Sequence, residues 1–182
     1  MKKVFIIISI FIFCSVSLSA QDKIRIGASA GVVISSVGGD DVEDTSSRTG
    51  FRFGGLVDIP VTEKFSIQPV VGFSIQGWKV GDADSEVKNN YVVIEAKGDY
   101  EIVDGLSLQA GPLLGFNIFN SFDFNEDIDG FASTNVGALA ALQYELPFGL
   151  FFNAQYDQGF TDLIDGFDIK NRNISVSVGY FF

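Results

Sequence analysis

The chain has 182 residues, a formal net charge of −11, 19 phenylalanines and no histidine. That acidity disfavours nucleic acid as a partner, which needs a basic footprint. The missing histidine removes the usual neutral-pH base of acyl transfer and hydrolysis. Apolar and acidic residues are both abundant, so a folded chain with segregated charge is expected, not a disordered one.

Residues 1–20 read as a secretory signal peptide. Lys2 and Lys3 form a positive start, Val4 to Cys14 is apolar apart from Ser9, and Leu18-Ser19-Ala20 is an acceptable cleavage site. The apolar run is shorter than the roughly 20 residues a spanning helix needs. A lipoprotein role for Cys14 is disfavoured, because Phe11-Ile12-Phe13 stands where small residues belong. Residues 21–182 are then one domain without cysteine, and no disulfide supports it.

From there the chain alternates with period two, the mark of strands with one apolar face. Ile24, Ile26, Ala28, Ala30 and Val32 alternate with Arg25, Gly27, Ser29 and Gly31, predicting a first strand over about 23–35. Residues 36–50 are Gly-, Ser- and Asp-rich and read as a loop. Phe51, Phe53, Val57 and Ile59 alternate with Arg52, Gly54 and Asp58 in a second strand, and a tight turn follows at Pro60 to Glu63. Phe65, Ile67, Val71, Phe73 and Ile75 mark a third strand against Ser66, Gln68, Gly72, Ser74 and Gln76. Pro69 interrupts it and is expected to be a bulge or twist point.

A polar loop over 81–89 leads to a fourth strand, with Val92, Ile94, Ala96 and Tyr100 opposite Val93, Glu95, Lys97 and Asp99. After a short turn, Leu106, Leu108, Ala110, Leu114, Phe116 and Ile118 share a face of a fifth, opposite Ser107, Gln109, Gly111, Gly115 and Asn117. Residues 120–133 read as a long loop. Val136, Ala138, Ala140, Leu142 and Tyr144 mark the sixth strand, and Pro147-Phe148-Gly149 a tight turn. Leu150, Phe152, Ala154, Tyr156 and Phe160 mark the seventh, opposite Asn153, Gln155, Asp157 and Gly159. Residues 161–170 read as a fourth loop. Ile174, Val176, Val178, Tyr180 and Phe182 alternate with Asn173, Ser175, Ser177 and Gly179 in the last strand, with Phe181 out of step.

Eight strands with alternating long and tight connections predict an all-β fold: an eight-stranded antiparallel up-and-down transmembrane β-barrel, loops at one end and turns at the other. Aromatics near the strand ends are expected to form two interfacial girdles: Phe51, Phe53, Trp78, Tyr91, Phe116 and Phe160 toward the loops, and Phe65, Tyr100, Tyr144, Phe148 and Tyr180 toward the turns. The rival is a secreted, soluble, lipocalin-like carrier with its apolar face inward. The polar face argues against it. Glycine and serine interspersed with Arg25, Arg52, Asp58, Gln68, Gln109, Glu145, Asn153, Gln155 and Asp157 suit a narrow interior, and the opposite face is nearly free of charge, as lipid requires.

Phe65-Ser66-Ile67-Gln68-Pro69, Leu106-Ser107-Leu108-Gln109-Ala110-Gly111-Pro112, Tyr144-Glu145-Leu146-Pro147 and the Val178-Gly179-Tyr180-Phe181-Phe182 end resemble the small outer membrane protein beta-barrel family of Bacteroidetes. That family is often called porin-family or PorT-like and is similar in architecture to OmpX- and OmpA-type barrels. The resemblance covers essentially the whole chain after residue 20. It implies an outer-membrane location beside lipid and lipopolysaccharide, and insertion by the barrel-assembly machinery through the terminal strand ending at Phe182. It implies no catalytic, cofactor-binding or metal residues.

The chemistry-bearing motifs are few. The Gly-x-Ser-x-Gly pattern occurs once, as Gly27-Ala28-Ser29-Ala30-Gly31, but it lies inside the first predicted strand and not at a strand-to-helix turn, so it is no nucleophile elbow. Asn125-x-Asp127-x-Asp129-Gly130 resembles the start of a calcium loop, but its first ligand is Asn and its twelfth position is Val136, so a solvated acidic loop is the better reading. Divalent cations bridging such loops to lipopolysaccharide is a hypothesis that a calcium titration of thermal stability would test. Arg25, Arg52, Asp58, Glu95, Lys97, Asp99, Glu145 and Asp157 are expected to pair inside, where an eight-stranded barrel is just wide enough for side chains to fill. The expected role is that of a monomeric, non-catalytic structural or surface-interaction barrel. A narrow pore or a barrel component of a secretion or transport system is the alternative.

Overall fold

The computed structural model describes residues 24–39, 45–80, 85–122, 132–164 and 166–182; the expected signal peptide and the calcium-like stretch 123–131 lie outside them. Eight strands follow in order: β1 (Arg25–Gly38), β2 (Thr45–Pro60), β3 (Phe65–Val80), β4 (Ser85–Val103), β5 (Leu106–Phe122), β6 (Thr134–Glu145), β7 (Leu150–Ile164) and β8 (Phe167–Phe181). Each pairs antiparallel with the next, and β8 pairs with β1 from Gly27↔Phe181 to Gly38↔Lys170, so the sheet closes and has no free edge there.

The pairing is staggered. It steps from Gly27 to Leu56, Val70, Glu95, Leu113, Gly137 and Gly159, and Gly159 lies against Asn171. Asn171 pairs with Val37, so one circuit climbs about ten residues along β1. For eight strands with a rise of ~3.3 Å per residue, that stagger tilts the strands by roughly 40°.

The two faces separate as the alternation demands. Ile26, Val32, Phe53, Val71, Ile94, Leu108, Leu142, Phe152, Ile174, Val176 and Val178 are exposed on the outside, while Gln68, Glu95, Gln109, Asn153, Gln155 and Asp157 are buried within. Phe181, out of step in the sequence, is buried and packs with Leu56, Val70 and Phe151 at the turn end of the lumen. The turns are short. Thr62 Oγ1 accepts the backbone N–H of Lys64 and Phe65 in the first. Gly149 closes the third with a hydrogen bond to the Leu146 carbonyl at φ +92°, a conformation that favours glycine.

Three expectations need correction. The loops are shorter than the sequence suggests, because β-pairing continues past the apolar alternation: Lys79 pairs with Ser46 and Glu86, and Lys170 with Asp162. Once a strand rises into water its outer face need not be apolar, so the pattern fades while the ladder persists. The fourth loop becomes the shortest, residues 165–166 between Ile164 and Phe167, with Gly166 at φ +88°.

Pro69 is not a bulge. The register of β3 is unbroken on both sides of it; the β2–β3 ladder passes from Leu56↔Val70 to Ile59↔Ile67 without the pairs between. Pro112 does the same on β5, where the β4–β5 ladder passes from Glu95↔Leu113 to Gly98↔Ala110. Both prolines face outward, and the missing N–H removes cross-strand pairing without shifting register.

Trp78 and Tyr91 do not join the outer girdle. They are 5% and 1% exposed, inside the lumen. Phe51, Phe53, Phe116 and Phe160 toward the loops, and Tyr100, Tyr144, Phe148 and Tyr180 toward the turns, are exposed as a girdle requires.

Candidate functional site

The lumen holds the chemistry of this protein. Its centre is a belt of charge built from strands on opposite walls. Arg52 of β2 reaches across to Glu95 of β4, donates to Ser175 Oγ at 3.1 Å and lies 3.4 Å from Asp157 Oδ2 of β7. Lys97, two residues along the same inner face as Glu95, sits 3.3 Å from Glu95 Oε2 and donates to Gln155 Oε1 at 2.6 Å. The Gln155 amide in turn donates to Asp157 at 2.6 Å and to Glu95 at 3.1 Å. Glu95 has no exposed side-chain surface and Arg52 little. Removing such charges from water costs several kcal/mol each, and only near-complete pairing offsets that.

A second network lies toward the turn end. Arg25 of β1 pairs with Asp58 at 2.8 Å and with Glu145, and its guanidinium stacks 4.3 Å from the centre of the Phe181 ring. It thereby ties the first strand to β2, β6 and the last strand. Asp58 also accepts from Ser66 at 2.5 Å and Gln68 at 3.0 Å. Asp99, expected in an ion pair, accepts instead from Ser107 and Gln109 at 2.8 and 2.5 Å. Neutral donors from the neighbouring strand satisfy it, because Ser107 and Gln109 face the same way one strand over. Gln109 continues to Gln68 and Asn153, so the network spans β3, β4, β5 and β7.

Between these networks the lumen is filled. A cavity of about 20 Å³ remains beside Arg52, Glu95, Lys97 and Phe151, room for about one water. Apolar side chains complete the plug: Leu56, Val70, Leu113, Leu139, Phe151 and Phe181 are all buried. The sequence reading assigned a polar interior and missed these. Their parity along each strand marks them, since Leu56 lies between Gly54 and Asp58, and Phe151 two residues before Asn153. At the turn end the lumen flares into an open mouth lined by Arg25, Asp58, Glu63, Lys64, Glu101 and Asp104.

Chemically the arrangement binds itself. Its carboxylates are engaged by guanidinium, ammonium, amide and hydroxyl donors. Among the described residues no group of three or more His, Cys, Asp or Glu side chains converges as a metal site. Val136 points outward from β6 and is exposed, so it cannot serve the calcium-like loop.

A closed antiparallel cylinder with an apolar exterior, aromatic ends and a polar, ion-paired interior is an integral outer-membrane β-barrel. A soluble carrier would need the reverse orientation, with its apolar face inward. The family is shown by sequence as well: residues 19–165 match the outer membrane protein beta-barrel domain, and the chain belongs to that family. No curated protein sequence matches it. Among solved structures, it resembles Ail, the attachment invasion locus protein of Yersinia pestis, in complex with the heparin analogue sucrose octasulfate. That likeness has 18% identity, covers 88% of this chain and 100% of that one, and has a TM-score of 0.58. Neisserial surface protein A is similar too, at 13% identity over 88% of this chain and 100% of that one, with a TM-score of 0.60. At these identities the likeness establishes the shared barrel fold.

Proposed function

We infer that this barrel is a monomeric, non-catalytic surface protein of the outer membrane, closed to solutes, whose loop end meets partners outside the cell. The observation that carries this reading is the filled centre of the lumen, where Arg52, Glu95, Lys97, Gln155 and Asp157 bond across the bore and leave about 20 Å³. Insertion of the cleaved chain by the barrel-assembly machinery, with lipopolysaccharide as its neighbour, fits a terminal strand whose exposed face is Ile174, Val176, Val178, Tyr180 and Phe182. The loops are rich in aspartate and glutamate. A polysulfated sugar, such as the analogue bound by the Yersinia pestis protein, is therefore a poor match here, and cationic or neutral partners fit better.

The test is single-channel recording of the purified barrel in planar bilayers. Silence at moderate voltage is the expected result. A steady open current would overturn the closed-barrel reading in favour of a narrow pore or a PorT-like component of a secretion system. Cross-linking on intact cells, followed by identification of what the loops capture, tests the surface role separately.

A further inference from the structure

The loop-end half of the lumen differs from the belt beneath it. It contains Ser35, Gln76, Asn89, Tyr91, Asn135, Asn171 and Asn173, all buried and none formally charged. They lie in a ring at one level of the bore. Asn173 donates to Gln76 at 3.2 Å and Asn171 lies 3.4 Å from the Tyr91 hydroxyl, while Gln76 stands opposite Asn89, and Ser35 opposite Asn173, in the backbone ladder. Asn135 and the Tyr91 ring pack directly onto glycines of the wall at this level: a Cβ on Gly159 would sit 2.8 Å from Asn135 Oδ1, and one on Gly115 would sit 3.2 Å from the Tyr91 ring, both tighter than ordinary contact.

Five buried polar atoms of this ring have no partner in the protein: Ser35 Oγ, both amide atoms of Asn89, Asn135 Oδ1 and Asn173 Oδ1. Orphaning a buried polar atom costs about 1–3 kcal/mol, so five on one level cannot simply be tolerated. Above the ring lies an apolar lid. Trp78, Val87 and Leu163 are buried together, with Val37, Ile164 and Ile169 packed against them. The lid is built by the same strands one inward position farther along: Trp78 follows Gln76, Val37 follows Ser35, Val87 precedes Asn89, and Ile169 precedes Asn171.

We propose that the asparagine ring is a water-binding chamber, in which internal water bridges Ser35, Asn89, Asn135 and Asn173, and that the Trp78–Val87–Leu163 lid seals it from the loop end. The chemistry selects water. Three carbonyl oxygens need a donor, one amide needs an acceptor and one hydroxyl takes either, which is the complement of molecules that donate two bonds and accept two. The ring residues themselves carry no charge; Arg48, opposite Ser35 on β2, is engaged with the Gln76 carbonyl at 3.2 Å, and Arg52, Glu95, Lys97 and Asp157 below are spent on each other. The lid supplies what the ring lacks, an apolar constriction that water crosses poorly.

The test uses the full chain carrying Cys14→Ser, which leaves no other thiol, with Asn173→Cys as the reporter. A small charged methanethiosulfonate reagent is expected to label Cys at 173 slowly while Trp78 is present, and at least about tenfold faster in Trp78→Ala, because thiol reactivity follows exposure. Trp78→Phe should stay slow. If Trp78→Ala does not fold, Leu163→Ala opens the same lid from the other wall. In the unsubstituted chain, NMR magnetisation transfer from water to the Asn89 and Asn135 side-chain amides should reveal long-lived contacts. Rapid labelling with the lid intact, equal rates with and without it, or no transfer to those amides would each overturn the proposal. None of these outcomes depends on whether the barrel conducts.

Discussion

The two halves of the lumen solve one problem in opposite ways. Toward the turns, charges are paired almost completely, half-buried at Arg25 with Asp58 and Glu145, and buried at Arg52 with Glu95 and Asp157 and at Lys97 with Glu95. Toward the loops the buried groups are neutral carboxamides and hydroxyls, several lack a protein partner, and an apolar cluster covers them. The difference shows what a narrow bore can tolerate. A charge there needs an opposite charge within reach, because water cannot be recruited in quantity. A neutral amide can make do with a single bridging molecule.

The largest effect should come from breaking the charged half. Arg52→Met leaves Glu95 and Asp157 buried without their guanidinium, and a loss of about 3–5 kcal/mol is expected in denaturant unfolding from micelles. Replacing Arg52, Glu95 and Asp157 together with apolar residues of similar size should restore most of that stability, which would separate the cost of an orphaned charge from the worth of the pair. Next comes the apolar plug. Phe151→Ala removes a ring that packs 4.9 Å from that of Phe181 and should cost about 3 kcal/mol, read as a lower unfolding midpoint.

The neutral half should respond more weakly. Asn89→Ala removes both of its unpartnered amide atoms, and a change within about 1 kcal/mol of zero is expected in the same assay. The smallest effect belongs outside the lumen altogether. Lys170 pairs with Asp162 and Asp168 at the loop end, where water screens it. Lys170→Met should leave the unfolding midpoint unchanged at any salt concentration. A large loss there would show that the hairpin tip, not the bore, sets stability.

Much of this was legible because hydrocarbon imposes so simple a rule. Ile174, Val176 and Val178 read as one face, and that face is outside. The charged members of the belt read as inward from their parity alone. What did not follow was the radius at which an aromatic sits. Trp78 and Tyr91 lie near strand ends, as girdle residues do, but they share parity with Gln76 and Glu95, and parity decides. Pairing distances across the bore were not legible either, because they depend on the stagger, which no single strand encodes. Asp99 was expected to meet a cation, yet the register sets it beside Ser107 and Gln109. The fourth loop carries its own signal in the sequence: Asp165-Gly166 between apolar residues is a two-residue turn signature.

The outward prolines carry a consequence for the surrounding bilayer. At Pro69 and Pro112 the ladder between two adjacent staves of the cylinder skips pairs without a change of register. Acyl chains cannot repair a missing stitch as solvent would, so at these two points cohesion of the wall passes to side chains, as where Gln68 reaches Asp58 across the gap at 3.0 Å.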